Sequence, residues 1–291
     1  MKSRPCVGIF FDMKKVILAK SVGLYINLLS YISPEKASVL AYRYFSQPRE
    51  GRLERDRMPA ILQEAEMTTF SLRDDLECHA YVWRGNENVI LLVHGWESNA
   101  SRWERLLPFL RSNGSTIVAI DGPAHGLSGG AEFNLIDYAA AIDKAVKYFN
   151  PNCLIGHSIG GAACIFYQYK YNNTALKKMV LLGAPSDLRT LVSNYVSMLS
   201  LNSRMVKLLE NYFIQRFSVK IDEFSARVFG GRINVKGIVA HDEEDTVVSF
   251  DEARKIASSW KHATFIPTRG LGHSMHDDNL YRKLTEFVCT E

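Results

Sequence analysis

Gly156-His157-Ser158-Ile159-Gly160 is the stretch whose reading decides the fold. Before it, Asn152-Cys153-Leu154-Ile155 is short and apolar, as a buried strand is. After it, Gly161-Ala162-Ala163-Cys164-Ile165-Phe166-Tyr167 sets small residues ahead of bulky apolar ones, as at the start of a tightly packed helix. A serine between strand and helix needs a sharp turn with a strained backbone. Flanking glycines remove the Cβ clashes that would forbid it. The turn lifts Oγ out of the sheet edge, which makes Ser158 a candidate nucleophile.

Working outward, strands and helices alternate. Val89-Ile90-Leu91-Leu92-Val93 and Ser115-Thr116-Ile117-Val118-Ala119-Ile120 are apolar runs of the kind buried on both faces. Met67 to Leu72 and Cys78 to Trp83 suggest an antiparallel pair ahead of them. Helical spacing covers Arg102 to Arg111, Leu135 to Phe149 and residues 161–171. Lys178 to Leu182, Val235 to Ala240 and Ala263 to Ile266 read as further strands. Phe250 to Trp260 and Asn279 to Cys289 read as helices. This order predicts right-handed β-α-β crossovers and a mostly parallel sheet with helices on both faces.

Two segments break the rhythm. Residues 1–66 read as a helical extension, with an amphipathic helix over 7–32, a second helix opened by Pro34-Glu35-Lys36 and ended by Pro48, and a charged link from Arg49 to Arg57. Asp187 to Gly231 is helical without a strand, too long for an ordinary connection. It is expected to be a cap at about 187–231 over the carboxyl edge of the sheet of a domain spanning 67–291. Tyr195, Met198 and Phe213 in it are candidate pocket residues.

The 291 residues are 47% hydrophobic and 23% charged, with a net charge of +4, an ordinary globular balance. Lys and Arg are scattered and no basic run is interleaved with aromatics, so nucleic acid is not an expected partner. Five cysteines (Cys6, Cys78, Cys153, Cys164, Cys289) form no Cys-x-x-Cys pair, and Cys153 and Cys164 sit in apolar context as small hydrophobes. This usage predicts a reducing, cytoplasmic setting. Ser21 to Ile32 is apolar, but shorter than the run of about 18 residues that spans a bilayer. The 7–32 helix is expected to pack on the main domain. Its alternative role is peripheral contact with a membrane through its apolar face, with Lys14, Lys15 and Lys20 near headgroups. No zinc-type spacing and no phosphate-cradling glycine loop occurs, so no metal and no cofactor is expected. The oligomeric state is not encoded in these patterns.

In an open parallel sheet, ligands sit at the carboxyl ends of the strands. Ser158, His94-Gly95-Trp96, Asp245 and His273 in Gly270-Leu271-Gly272-His273-Ser274 all fall there. With these motifs in this order, residues 67–291 resemble the α/β-hydrolase fold superfamily, whose triads run Ser, Asp, His along the chain.

The resemblance implies a serine hydrolase acting on a small-molecule ester or thioester. Ser158 would be the nucleophile, His273 the base and later the acid, with His276 as fallback, and Asp245 the orienting carboxylate. Asp242, Glu243 and Glu244 compete with Asp245, which the family's spacing favours. The oxyanion would take backbone N–H groups of Ile159 and, at the position after His-Gly, Trp96. His94 borders this site as a candidate pocket residue and is expected to bond nearby backbone. Asp121-Gly122-Pro123-Ala124-His125-Gly126-Leu127-Ser128 resembles a floor loop of the family, with Ala124 where glycine is usual. His125 is read there as structural. Rival readings are a membrane-surface lipase or lysophospholipase, a carbon–carbon bond hydrolase, and a non-catalytic binding protein that keeps the fold.

Overall fold

The computed structural model describes residues 7–290, with side chains from Lys14 onward. Cys6 lies outside them. The helices are α1 (Val7–Ile32), α2 (Pro34–Ser46), α3 (Ala60–Gln63), α4 (Leu107–Arg111), α5 (Leu135–Phe149), α6 (Ile159–Tyr171), α7 (Leu188–Leu199), α8 (Ser203–Phe217), α9 (Ala226–Gly230), α10 (Phe250–Ser259) and α11 (Asp278–Cys289). The strands are β1 (Glu66–Arg73), β2 (Leu76–Trp83), β3 (Asn86–Val93), β4 (Ser115–Ile120), β5 (Cys153–His157), β6 (Lys178–Leu182), β7 (Lys236–Asp242) and β8 (Ala263–Thr268).

The strands form one sheet in the order β1-β2-β4-β3-β5-β6-β7-β8. β2 runs antiparallel to β1 and β4, and every pair from β4-β3 to β7-β8 is parallel. All residues of β4, β5 and β6 are buried. This explains their largely apolar runs, because a strand covered on both faces needs no polar side. Side chains alternate between the faces. Ile90, Leu92, Ile117, Ile155 and Val180 enter one core with Trp103, Tyr281 and Leu284. Leu91, Val93, Val118, Leu154 and Leu181 are the intervening residues and are equally buried. Truncating Ile155 to Ala would cost about 2–5 kcal/mol in such a core. Cys153 and Cys164 are buried and unpaired, as their apolar setting implied.

The chain divides into two compact units. One holds the sheet, as residues 47–186 and 225 onward. The other is helical and joins the helices up to Ser46 with Asp187–Phe224. In the helical unit, α1, α2, α7 and α8 share a core that includes Ile26, Tyr42, Val192, Leu199 and Phe213. Asn202 caps α8 through its side chain, which accepts from the Met205 N–H at 2.9 Å. Arg189 holds Asp222 and Glu210 with hydrogen bonds of 2.6–2.7 Å.

The division differs from the sequence expectation of an extension over 1–66 and a cap over 187–231. Two apolar faces more than 140 residues apart in the chain complete one core, which no local periodicity reveals. Tyr195 and Phe213, expected in a pocket, are interior residues of the helical unit; Tyr195 donates through Oη to the Ala41 carbonyl at 2.7 Å. Met198 is exposed on α7. The helical spacing over Arg102 to Arg111 also resolves into two pieces, a 3₁₀ turn over Ala100–Arg105 followed by α4. Pro108 lies in the first turn of α4, where its missing N–H costs least.

Candidate active site

Ser158 sits between β5 and α6 with φ 54° and ψ −128°. An L-residue adopts this conformation at a cost of about 1–3 kcal/mol, and such strain gathers at functional turns. The flanking glycines permit the turn by close approach. A Cβ on Gly156 would lie 2.6 Å from Gly161 Cα, and one on Gly160 would lie 2.2 Å from the His94 carbonyl oxygen. Any larger residue at either place would displace the backbone.

His273 reaches this serine from the loop between β8 and α11. Its Nε2 lies 3.0 Å from Ser158 Oγ, and its Nδ1 lies 2.7 Å from Asp245 Oδ2. Asp245 follows β7, and its side chain is fully buried. Its Oδ1 accepts from the Val247 and Val248 N–H groups at 2.8 and 2.9 Å. His241 Nε2 lies 3.2 Å from Oδ2. Burial pushes the Asp245 pKa up. Hydrogen bonds from His241, His273 and the Val248 and Val247 amides outweigh it, so the carboxyl stays below the ordinary range and is ionised at neutral pH.

The competing acids have other partners. Asp242 accepts from Thr268 Oγ1 at 2.8 Å and from the Leu271 N–H at 3.0 Å, tying down the loop that carries His273. Glu244 pairs with Arg269 at the surface, and Glu243 is exposed. The His276 ring bonds Tyr281 Oη instead of approaching the serine.

The loop after β3 runs beside Ser158. A Cβ on Gly95 would lie 2.9 Å from Ser158 Cβ. Ile159 opens α6, so its N–H is one of the unpaired donors of a helix start. Among the described residues, no intramolecular hydrogen bond engages that N–H or the N–H of Trp96. The Trp96 ring packs edge-on against His125 and Phe133.

His94 is fully buried, and both ring nitrogens are used. Nδ1 bonds the Gly95 carbonyl at 2.7 Å, and Nε2 accepts from the Gly122 N–H at 2.9 Å. It therefore braces the loop and has no face left for a ligand, which corrects its place among the pocket candidates. His125 likewise accepts from the Glu97 N–H at 3.0 Å, and burial lowers its pKa to about 4. Asp121 accepts from Ala100 N–H, Leu127 N–H and Tyr81 Oη, each at 2.9 Å, while burial raises its pKa to about 6. Ala124 holds the left-handed φ of 63° that glycine would supply more easily, so the loop keeps its shape despite the substitution.

Three supporting residues escaped the sequence reading. His157 lies inside the pentapeptide. Its Nε2 is 2.7 Å from the His273 carbonyl oxygen, and its Nδ1 is 2.8 Å from Arg102 Nη1. Arg102 also donates to the Ser274 carbonyl at 3.1 Å. His241, on β7, supports Asp245. Their positions gave no signal, because each acts through a partner that is distant in sequence.

This strand order, with a serine on a strained turn after β5 and a histidine and an acid on the loops after β8 and β7, is the architecture of the α/β-hydrolase fold. A family model described as "alpha/beta hydrolase fold" matches residues 88–218 of this chain. A Drosophila melanogaster protein named "Probable serine hydrolase" is 34% identical over 107 residues, 34% of this chain and 32% of that protein. A bifunctional esterase/perhydrolase of Acinetobacter calcoaceticus is 30% identical over 100 residues, 33% of this chain and 36% of that protein. The matches thus span about a third of the length of these curated relatives. Among solved structures, mouse alpha/beta hydrolase domain-containing protein 10 superposes with a TM-score of 0.59 at 15% identity, covering 77% of this chain and 97% of that one.

Proposed function

We propose that the protein is a serine hydrolase that cleaves a carboxylic ester or thioester through an acyl-enzyme. The observation that carries this reading is the relay from Ser158 Oγ to His273 Nε2 at 3.0 Å and from His273 Nδ1 to Asp245 Oδ2 at 2.7 Å. A hydroxyl is a weak nucleophile until a base takes its proton. His273 takes the Ser158 proton as Oγ attacks the carbonyl carbon, and Asp245 fixes the tautomer and stabilises the imidazolium. The N–H groups of Ile159 and Trp96 receive the oxyanion, and the start of α6 adds its positive dipole end. His273 then hands the proton to the departing alkoxide or thiolate. Water, activated by the same imidazole, attacks the acyl carbon and releases the acid and free Ser158. No cofactor enters this cycle. The names of the relatives, serine hydrolase and esterase, point the same way. The unpaired cysteines support a cytoplasmic setting.

The test is a fluorophosphonate probe followed by mass mapping. Labelling should fall on Ser158 and disappear in His273→Ala. Labelling at another residue, or labelling unchanged in that variant, overturns the mechanism. A chain-length series of nitrophenyl esters then sizes the acyl site.

A further inference from the structure

From Lys14 onward, helix α1 uses one face and leaves the other bare. On the used face, Ile26 is fully buried, and Gly23 lies so near Leu199 that an added Cβ would overlap its carbonyl oxygen. Lys20 Nζ donates to the Ser197 carbonyl at 3.0 Å and to Ser200 Oγ at 2.6 Å. Asn27 donates to the Ser200 carbonyl and accepts from the Asn202 N–H, both at 2.9 Å. On the other face, Ile17, Leu18, Leu24, Tyr25, Leu28 and Tyr31 are 57–67% exposed. At 100° per residue they fall within an arc of roughly 140°. A contiguous apolar stripe of this size on a soluble surface marks an interaction site.

We infer that this face of α1 docks on an anionic lipid bilayer, with the helix lying in the plane of the headgroups. The charge around the stripe selects the partner. From residue 13 to residue 34 the chain has three lysines and no acidic residue. Lys14 and Lys15 are exposed at one end of the stripe. At the other end, exposed Arg204 stacks over the Tyr31 ring at 5.2 Å. An apolar strip with cationic ends and tyrosines along it matches hydrocarbon beneath anionic headgroups. A second copy of the same face would set lysine against apolar surface, since none of the stripe residues is a carboxylate. The segment Lys14–Ile32 is long and apolar enough to cross a bilayer. Crossing would strip Lys20 and Asn27 from their partners on α7 and the α7–α8 connection and leave them in hydrocarbon. The helix therefore lies on the membrane, not through it.

The experiment is flotation of the full chain with phosphatidylcholine vesicles, with and without phosphatidylglycerol, at physiological salt. The protein should float with the anionic vesicles and be released at high salt. Lys14→Gln/Lys15→Gln should weaken binding about twenty-fivefold, since each lysine near an anionic surface contributes about fivefold. Leu24→Glu/Leu28→Glu should abolish binding without changing circular dichroism, because both side chains point away from the core. No flotation, or flotation insensitive to both variants, overturns the inference. So does retention in the bilayer after alkaline carbonate washing, which would mean a spanning helix. A solution dimer dissolved by Leu24→Glu/Leu28→Glu would assign the face to a second copy and overturn it equally. None of these readouts uses turnover, so the inference and the hydrolase reading fail separately.

Discussion

His157, the residue before Ser158, places its Nε2 2.7 Å from the carbonyl oxygen of His273. The neighbour of Ser158 thus holds the loop that carries His273. Burial, reinforced by Arg102, keeps the His157 pKa well below its ordinary value, so the ring is neutral. With Nε2–H given to His273, Nδ1 is free to accept from Arg102 Nη1 at 2.8 Å. Arg102 is the strut of this brace, and burial lowers its own pKa to about 10.

Removing the strut should misplace the base and leave the serine intact. Arg102→Leu is expected to lower kcat by about ten- to a hundredfold, the usual effect of a shift near 1 Å at a reacting group. KM should change little, and Arg102→Lys should recover part of the loss. Steady-state nitrophenyl ester kinetics check this. A lower melting temperature with unchanged kcat would reduce Arg102 to a packing residue.

Asp245 should be separable from its acidic neighbours. Asp245→Asn is expected to cost about 10⁴-fold in kcat, since an amide cannot hold the required tautomer. Glu244→Gln should cost less than about twofold, in keeping with its exposed pairing to Arg269. Equal losses in the two variants would contradict the assignment of the acid. Single-turnover acylation rates separate them.

The φ of 54° at Ser158 carries a stability prediction. Ser158→Gly should abolish ester turnover and probe labelling while raising unfolding free energy by about 1 kcal/mol, because glycine adopts that conformation without strain. Urea titration of the two proteins measures it. A destabilised glycine variant would mean that the turn is not under strain.

Acidification should weaken the fold well before ordinary, exposed carboxylates begin to titrate. Burial depresses the pKa values of His94 and His157 well below 6.5 and that of His125 to about 4. Below pH 6.5 the unfolded chain binds protons that the folded chain refuses, so stability falls as pH falls toward 4. Each such histidine contributes a slope approaching about 1.4 kcal/mol per pH unit. Asp121, raised to about 6 by burial, opposes one of the three between pH 6 and its ordinary value. Denaturant titrations from pH 7.5 to 4.5 should therefore show a decline that His125→Gln makes shallower. A flat profile would mean that these rings are charged in the fold.

The family resemblance grouped Ser158, Asp245 and His273; the pentapeptide at Gly156 and the apolar runs at 89–93 and 115–120 were enough to read the sheet and the turn. Each of these is local. A strand buried on both faces must be apolar throughout, and a strained serine turn needs small residues beside it. Other features depend on contacts between distant segments. The joining of α1 and α2 with α7 and α8, the interior places of Tyr195 and Phe213, the loop-bracing role of His94, and the chain from Arg102 through His157 to His273 each require two surfaces that only the folded chain brings together. A side chain's neighbours along the sequence state what it is able to bury. What it meets there is decided by packing in three dimensions, and that is why tertiary structure alone turned an unremarked arginine and histidine into the support of the site.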